Sequence, residues 1–171
     1  MADSIERTCQ KAFDLGKKYE MECTGCAQTT LAAVFEALGM WNEDVFRSAS
    51  GLADGLGLTG DGACGALNGA ALAIGYVFGR ERQDFSDMLK PLQSYLLCKR
   101  LHDEFVARYG TCRCYDIQTR LMGRTFNLYD PGELQEAREF GMFDHCSDLV
   151  GETARLVVRI ILEETEKNPQ R

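Results

Sequence analysis

The chain has 171 residues, enough for one domain with a proper core and short for two. Apolar residues make up 45% and charged residues 26%, the proportions of an ordinary globular protein. A formal charge of −7 speaks against nucleic acid or an anionic membrane surface as partner, since both reward an excess of Lys and Arg.

In chain order, Met1 to Arg7 is polar and lacks the apolar stretch of a signal peptide, so a cytoplasmic location is expected. Ile5 to Lys18, within an N-terminal helical region of residues 1–20, reads as a short amphipathic helix carrying Phe13 and Leu15. Leu31, Val34, Phe35 and Leu38 recur at i, i+3, i+4 and i+7 before Gly39 closes the helix. Trp41 and the nearby Phe35 and Phe46 are expected in the core. Gly51 to Gly62 is a glycine-rich connector. It lacks both the lysine and the preceding strand of a phosphate-binding loop, which leaves a tight backbone crossing as its reading.

After it, Gly65, Ala66, Gly69, Ala70, Ala73 and Gly75 predict a helix with a bare face, on which Gly65 and Gly69 let a neighbour come close. The weakly polar run Ala63 to Phe78 is too short to span a membrane. Leu89, Leu92, Leu96 and Phe105 predict a long helix from about Phe85 to Tyr109, with Pro91 in its first turn or at a kink. Asp130-Pro131-Gly132-Glu133 opens a short helix through Phe140, stopped by Gly141. Leu149, Thr153, Leu156, Val157, Ile160 and Ile161 form a last apolar stripe that runs into the solvated Glu163 to Lys167, and residues 165–171 are expected to be a flexible tail. The fold class expected is an all-α, single-domain bundle of about six to eight helices.

Eight cysteines in such a chain need an explanation, because structural disulfides are rare in the cytoplasm. Cys26, Cys64, Cys114 and Cys146 each follow a helix-capping type of residue by two or three places: Thr24, Asp61, Thr111 and Asp144. Cys9, Cys23, Cys98 and Cys112 do not. A thiol in the first turn of a helix faces unpaired N–H groups and the positive end of the helix dipole, which favours its ionised form. If the four helix ends converge, the thiolates can hold an iron–sulfur cluster or another thiophilic metal, zinc included. They can equally serve as two dithiol pairs without any cofactor.

The pairs Cys23-Thr24-Gly25-Cys26 and Cys112-Arg113-Cys114 stand about 85 residues apart, wide for a zinc ribbon. Cys9 and Cys98 read as small hydrophobes of the core. His145 abuts Cys146 and is a candidate ligand or base, though a histidine near a helix start is more often at the surface. His102, inside a helix, is a weaker candidate. Gln28, one turn into its helix, is placed either to hydrogen-bond a sulfur or to face solvent.

The runs Gly25-Cys26-Ala27-Gln28, Cys64-Gly65-Ala66-Leu67-Asn68-Gly69-Ala70, then Cys114, and Gly141-Met142-Phe143-Asp144-His145-Cys146 carry a resemblance. Over residues 23–164 the chain resembles the redox-active family labelled by the cysteine pattern C_GCAxxG_C_C. The resemblance implies that Cys26, Cys64, Cys114 and Cys146 form the redox or metal centre. A related domain in the split-Soret cytochromes is associated with an iron–sulfur centre, which points to a cluster of [2Fe–2S] type here, used in electron transfer or redox sensing. The haem of those proteins does not carry over, since no CxxCH motif occurs. Cys23 and Cys112 fall outside the family pattern and are auxiliary candidates, as substitute ligands or resolving thiols. The rival readings are a metal-free thiol–disulfide oxidoreductase and a zinc-binding structural or transport-associated module. Whether the chain is an enzyme is open, with oxidoreductase the class allowed. The expected partners are a redox partner protein and, on the frequency of symmetric dimers alone, a second copy of the chain.

Overall fold

A computed structural model describes residues 2–168, and among them eight α-helices and no strand are found. The two longest, α1 (Ala2–Cys23) and α8 (Met142–Lys167), lie antiparallel. Their register is visible in the contacts of Arg159 with Glu6 at 2.9 Å, Arg155 with Gln10 at 2.5 Å and Lys17 with Asp148 at 2.5 Å. The axes approach closely because glycine meets glycine: a Cβ on Gly16 would sit 3.1 Å from the Gly151 Cα. The α8 stripe Val150, Ala154, Val157, Val158 and Ile161 is buried, as its 3–4 spacing requires.

The helix α2 (Cys26–Leu38) folds back on α1, and Gly39 closes it in the left-handed conformation. Next come α3 (Glu43–Ser48), a 3₁₀ turn at Ser50–Leu52 and the glycine-rich connector, then α4 (Gly65–Phe78). Helices α2 and α4 run side by side in the same direction, since Ala27 lies against Gly69 and Phe35 against Tyr76. A Cβ on Gly69 would fall 2.2 Å from the Ala27 carbonyl oxygen, so the bare face brings two backbones into contact, as expected. The connector is likewise a tight crossing, with Gly62 N–H bonded to Gly55 O at 2.8 Å.

The remaining helices are α5 (Leu92–Tyr109), α6 (Cys114–Met122) and α7 (Pro131–Phe140). Phe35, Phe105, Leu31, Ile74, Leu101 and Ile160 are the largest wholly buried side chains, and they join α2, α4, α5 and α8 in one core. A smaller satellite cluster, Met122, Phe126, Ala137 and Met142, seats α7 and the loop before it on the start of α8.

Four expectations need correction. The first helix is longer than Ile5 to Lys18. The fifth begins at Leu92 instead of Phe85, because Pro91 serves as its N-cap and the chain before it turns on itself, with Arg80 Nη1 donating to Asp87 O at 2.9 Å. Trp41 is half exposed, its ring edge-on to Phe35 and its indole N–H donating to Glu43 at 3.3 Å. Thr165, Glu166 and Lys167 continue α8, where Thr165 Oγ1 donates to Ile161 O at 2.8 Å. The rest of the expected tail, 169–171, lies outside the described residues, as does Met1. Among the described residues no helix is long and apolar enough to cross a membrane.

Candidate functional site

The parallel run of α2 and α4 puts their N-termini at the same end of the bundle, and the start of α6 joins them there. Cys26 is the first residue of α2, entered through Thr24 (φ 56°) and Gly25 (φ 89°), a left-handed pair that turns the chain sharply out of α1. Cys64 is the N-cap of α4, and Cys114 is the first residue of α6. A two-sided backbone bridge between Ala63 and Arg113 ties the last two together. In it Cys64 N–H donates to Cys112 O at 2.8 Å and Cys114 N–H to Gly62 O at 3.0 Å. Cys146 comes from the second turn of α8.

The capping residues expected from sequence are not the caps. Gly25, Cys64 itself, Arg113 and Gly141 hold those positions, none with a side-chain cap bond. Three of the four cysteines nonetheless start helices; Cys146 does not.

All four line one cavity of about 240 Å³. Its remaining wall is mostly apolar, including Ile117, Met122, Leu134, Met142 and Phe143, with Glu20, Asp54 and Gln118 as buried polar groups. The Cys114 thiol donates to Asp54 Oδ1 at 2.9 Å, and Gln118 Nε2 donates to the same oxygen at 2.6 Å. Asp54 N–H donates to Cys26 Sγ at 3.4 Å. Asp54 (φ 45°) belongs to a run, 54–58, held in left-handed backbone that is strained at Asp54, Leu56 and Leu58. That turn aims its carboxyl and its amide at two different sulfurs. A Cβ on Gly65 would lie 2.3 Å from Cys26 Sγ, so the glycine vacates the space the sulfur fills.

The thiols ionise unequally. Cys64 is drawn below the usual thiol range by the adjoining Cys114 side chain and by the Ala66 and Leu67 N–H groups at the start of α4. Cys114 is pushed up by its closeness to Cys64, by burial and by the Asp54 charge. Burial holds Cys26 and Cys146 up as well. Glu20, whose carboxylate accepts the Thr29 hydroxyl at 2.6 Å, is raised by burial to about 7. Burial also raises Asp54, against the bonds from Cys114 and Gln118.

The auxiliary candidates stand elsewhere. Cys23, Cys112 and His145 do not line the cavity: Cys23 and His145 are exposed, and Cys112 packs against the main core. Gln28 bonds no sulfur; its Nε2 donates to Phe46 O at 3.1 Å and pins α2 to α3. Cys9 is fully buried, as expected, and Cys98 is half-buried against the core. His102 is exposed beside Asp103.

An iron–sulfur cluster fits the donor set in kind, since four thiols share one cavity and backbone N–H groups already face two of the sulfurs. Among the described residues, no three His, Cys, Asp or Glu side chains are placed to hold a metal ion. Sequence reasoning missed Asp54, Gln118 and Glu20. Gln118 carried a signal, one helical turn beyond Cys114 on the same face. Asp54 carried none, because only the left-handed turn delivers it. No curated protein and no solved structure matches the chain. Residues 24–160 match the family described as "Putative redox-active protein (C_GCAxxG_C_C)", and the chain belongs to that family.

Proposed function

We propose that this chain is a thiol–disulfide redox protein whose working couple is Cys64 and Cys114. The observation that carries the reading is their pairing: a backbone bridge sets the two residues side by side on one cavity, one thiol favouring the thiolate and the other the thiol. Cys64, as thiolate, attacks one sulfur of a small disulfide that enters the cavity, and the other sulfur leaves as a thiolate and takes a proton from solvent. Cys114 then gives its proton to Asp54 and attacks Cys64 Sγ, which expels the second half of the substrate. Two protein thiols become one disulfide, and one substrate disulfide becomes two thiols. Gln118 holds the Asp54 carboxyl on line throughout.

The reading is tested by equilibrating the reduced protein with hydroxyethyl disulfide and mapping the product. Two thiols should be lost, joined as Cys64–Cys114, with the loss abolished in Cys64→Ser and Cys114→Ser. Asp54→Asn should slow the closure at pH 6.5 by about 100-fold or more, the scale of a lost general base. A link between other cysteines, or no loss, would refute it.

A second reading rests on the shared cavity: Cys26, Cys64, Cys114 and Cys146 would hold an iron–sulfur cluster, and its iron would cycle one electron. Iron and acid-labile sulfide in anaerobically purified protein, lost when any of the four is changed to Ser, would support it over the first.

A further inference from the structure

The end of the bundle remote from the cysteine cavity carries an apolar face that the fold leaves uncovered. Phe85, Met88 and Leu89 come from the turn before α5, and Leu92, Tyr95 and Leu96 follow at i, i+3 and i+4 on its outer side. Their exposures run from 50% at Leu92 to 85% at Met88. At about 150–250 Å² for a large side chain, six such residues expose on the order of 700 Å². The largest apolar patch on an ordinary monomer is about 300–600 Å², and one side of a standard protein interface is about 800 Å². The face therefore has the area of half an interface.

We infer that a second copy of this chain covers it, about a two-fold axis near Leu92 that lays the first turns of each α5 against the Phe85–Leu89 turn of the other copy. The charge pattern selects a copy of itself over a partner of one sign. Arg80 and Arg82 stack on Phe85 at 4.7 and 5.3 Å, Lys90 pairs with Asp84 at 3.3 Å, and Asp87 holds the Leu89 N–H at 2.9 Å. Lys99 and Asp103 close the far side of the same helix face. A rim carrying both signs offers no single-sign field to an acidic or a basic partner. Under the two-fold it becomes self-complementary: Leu89 of each copy meets Leu96 of the other, and Lys99 arrives beside Asp87 and the Phe85 ring. Such an isologous contact closes on itself and gives a dimer instead of a filament. Helix α4 spans 14 residues, about 20 Å, between this end and Cys64, so pairing leaves both cysteine cavities open. The inference stands apart from the redox reading and neither depends on the other.

Sedimentation equilibrium of the full chain at about 1–100 μM tests it. The expected mass is twice 19.1 kDa. The double variant Leu92→Glu/Leu96→Glu should weaken dimerisation at least 100-fold and sediment as a monomer, with wild-type helix content by circular dichroism. Both residues are half exposed, so the variant is expected to fold; Met88→Lys/Leu89→Lys, outside the helix, provides a second chance if it does not. Lys99→Asp should loosen the dimer about 3-fold, and adding Asp87→Lys should restore it. A wild-type monomer at 100 μM overturns the inference and leaves the face to a different protein. A dimer that survives both double variants overturns it as well, because the contact then lies elsewhere.

Discussion

Glu20 is a carboxyl group 4% exposed on the cavity wall, with one hydroxyl, that of Thr29, as its hydrogen-bond donor. Water would stabilise its ionised form better than this site does, which is why burial lifts it from 4.5 to about 7. The folded chain therefore binds a proton that the unfolded chain has released, over the window from about pH 4.5 to 7. Stability contributed by the neutral form is complete below that window and is lost as pH rises through it, by about 3 kcal/mol in all. Glu20→Gln removes the titration while keeping an acceptor for Thr29. Reduced Glu20→Gln protein should match the parent in urea unfolding at pH 4.5 and exceed it by about 3 kcal/mol at pH 8; equal stability at pH 8 would show that Glu20 ionises freely. None of this was legible in the sequence, where Glu20 is one acidic residue among many near a helix end. The four cavity cysteines were legible, because their spacing and neighbours set them apart. Their placement does not come from the capping types beside them: Thr24, Asp61, Thr111 and Asp144 are the N-caps of none of these helices, and Cys146 lies a turn inside α8.

Among the elements, α4 determines how close the cysteines come. Its glycines differ sharply in surroundings: at Gly69 a Cβ would enter the Ala27 carbonyl, whereas at Gly75 nothing lies within 4 Å. Alanine at an open helix position gains up to about 1 kcal/mol over glycine. Alanine at the crossing gains the same locally, but two backbones must separate, at about 1–3 kcal/mol. Gly75→Ala should thus raise the thermal midpoint and Gly69→Ala lower it. Gly69→Ala should also slow formation of the Cys64–Cys114 disulfide, as α4 shifts off α2. If the two substitutions proved alike in a thermal scan, the close approach would be absent. The helices themselves were readable wherever apolar spacing and a terminating glycine agreed, as at Leu38-Gly39 and Phe140-Gly141. They were misread at Phe85 to Pro91, where Leu89 continues the α5 spacing but the chain satisfies its amides through Asp87 and a 3₁₀ turn. Local hydrogen bonding overrode the apolar pattern there.

At the scale of the whole molecule, two unequal cores share the chain. The main core draws buried side chains from α1, α2, α4, α5 and α8, while Gly123 to Phe140 rests on the four-residue satellite of Met122, Phe126, Ala137 and Met142. Few ties reinforce it: Tyr129 Oη donates to Gly57 O at 2.9 Å, and Arg124 pairs with Glu136. Exposed pairs of that kind add at most about 1 kcal/mol each. This segment also supplies Leu128, Leu134 and Arg138 to the cavity wall, so it is the part whose opening admits a reagent to the thiols. Small apolar clusters open at lower free energy than the global core. Phe126, its ring 5.7 Å from Phe140, is the largest side chain in the satellite. Phe126→Ala should lower the opening energy by about 3 kcal/mol, enough to speed modification of Cys114 and Cys146 by an uncharged maleimide about 100-fold in dilute buffer. Urea unfolding followed by circular dichroism should report a much smaller loss, because the bundle keeps its own core. An unchanged modification rate would mean that the thiols are reached by another route, and a full 3 kcal/mol loss in the urea transition would mean that segment and bundle unfold as one.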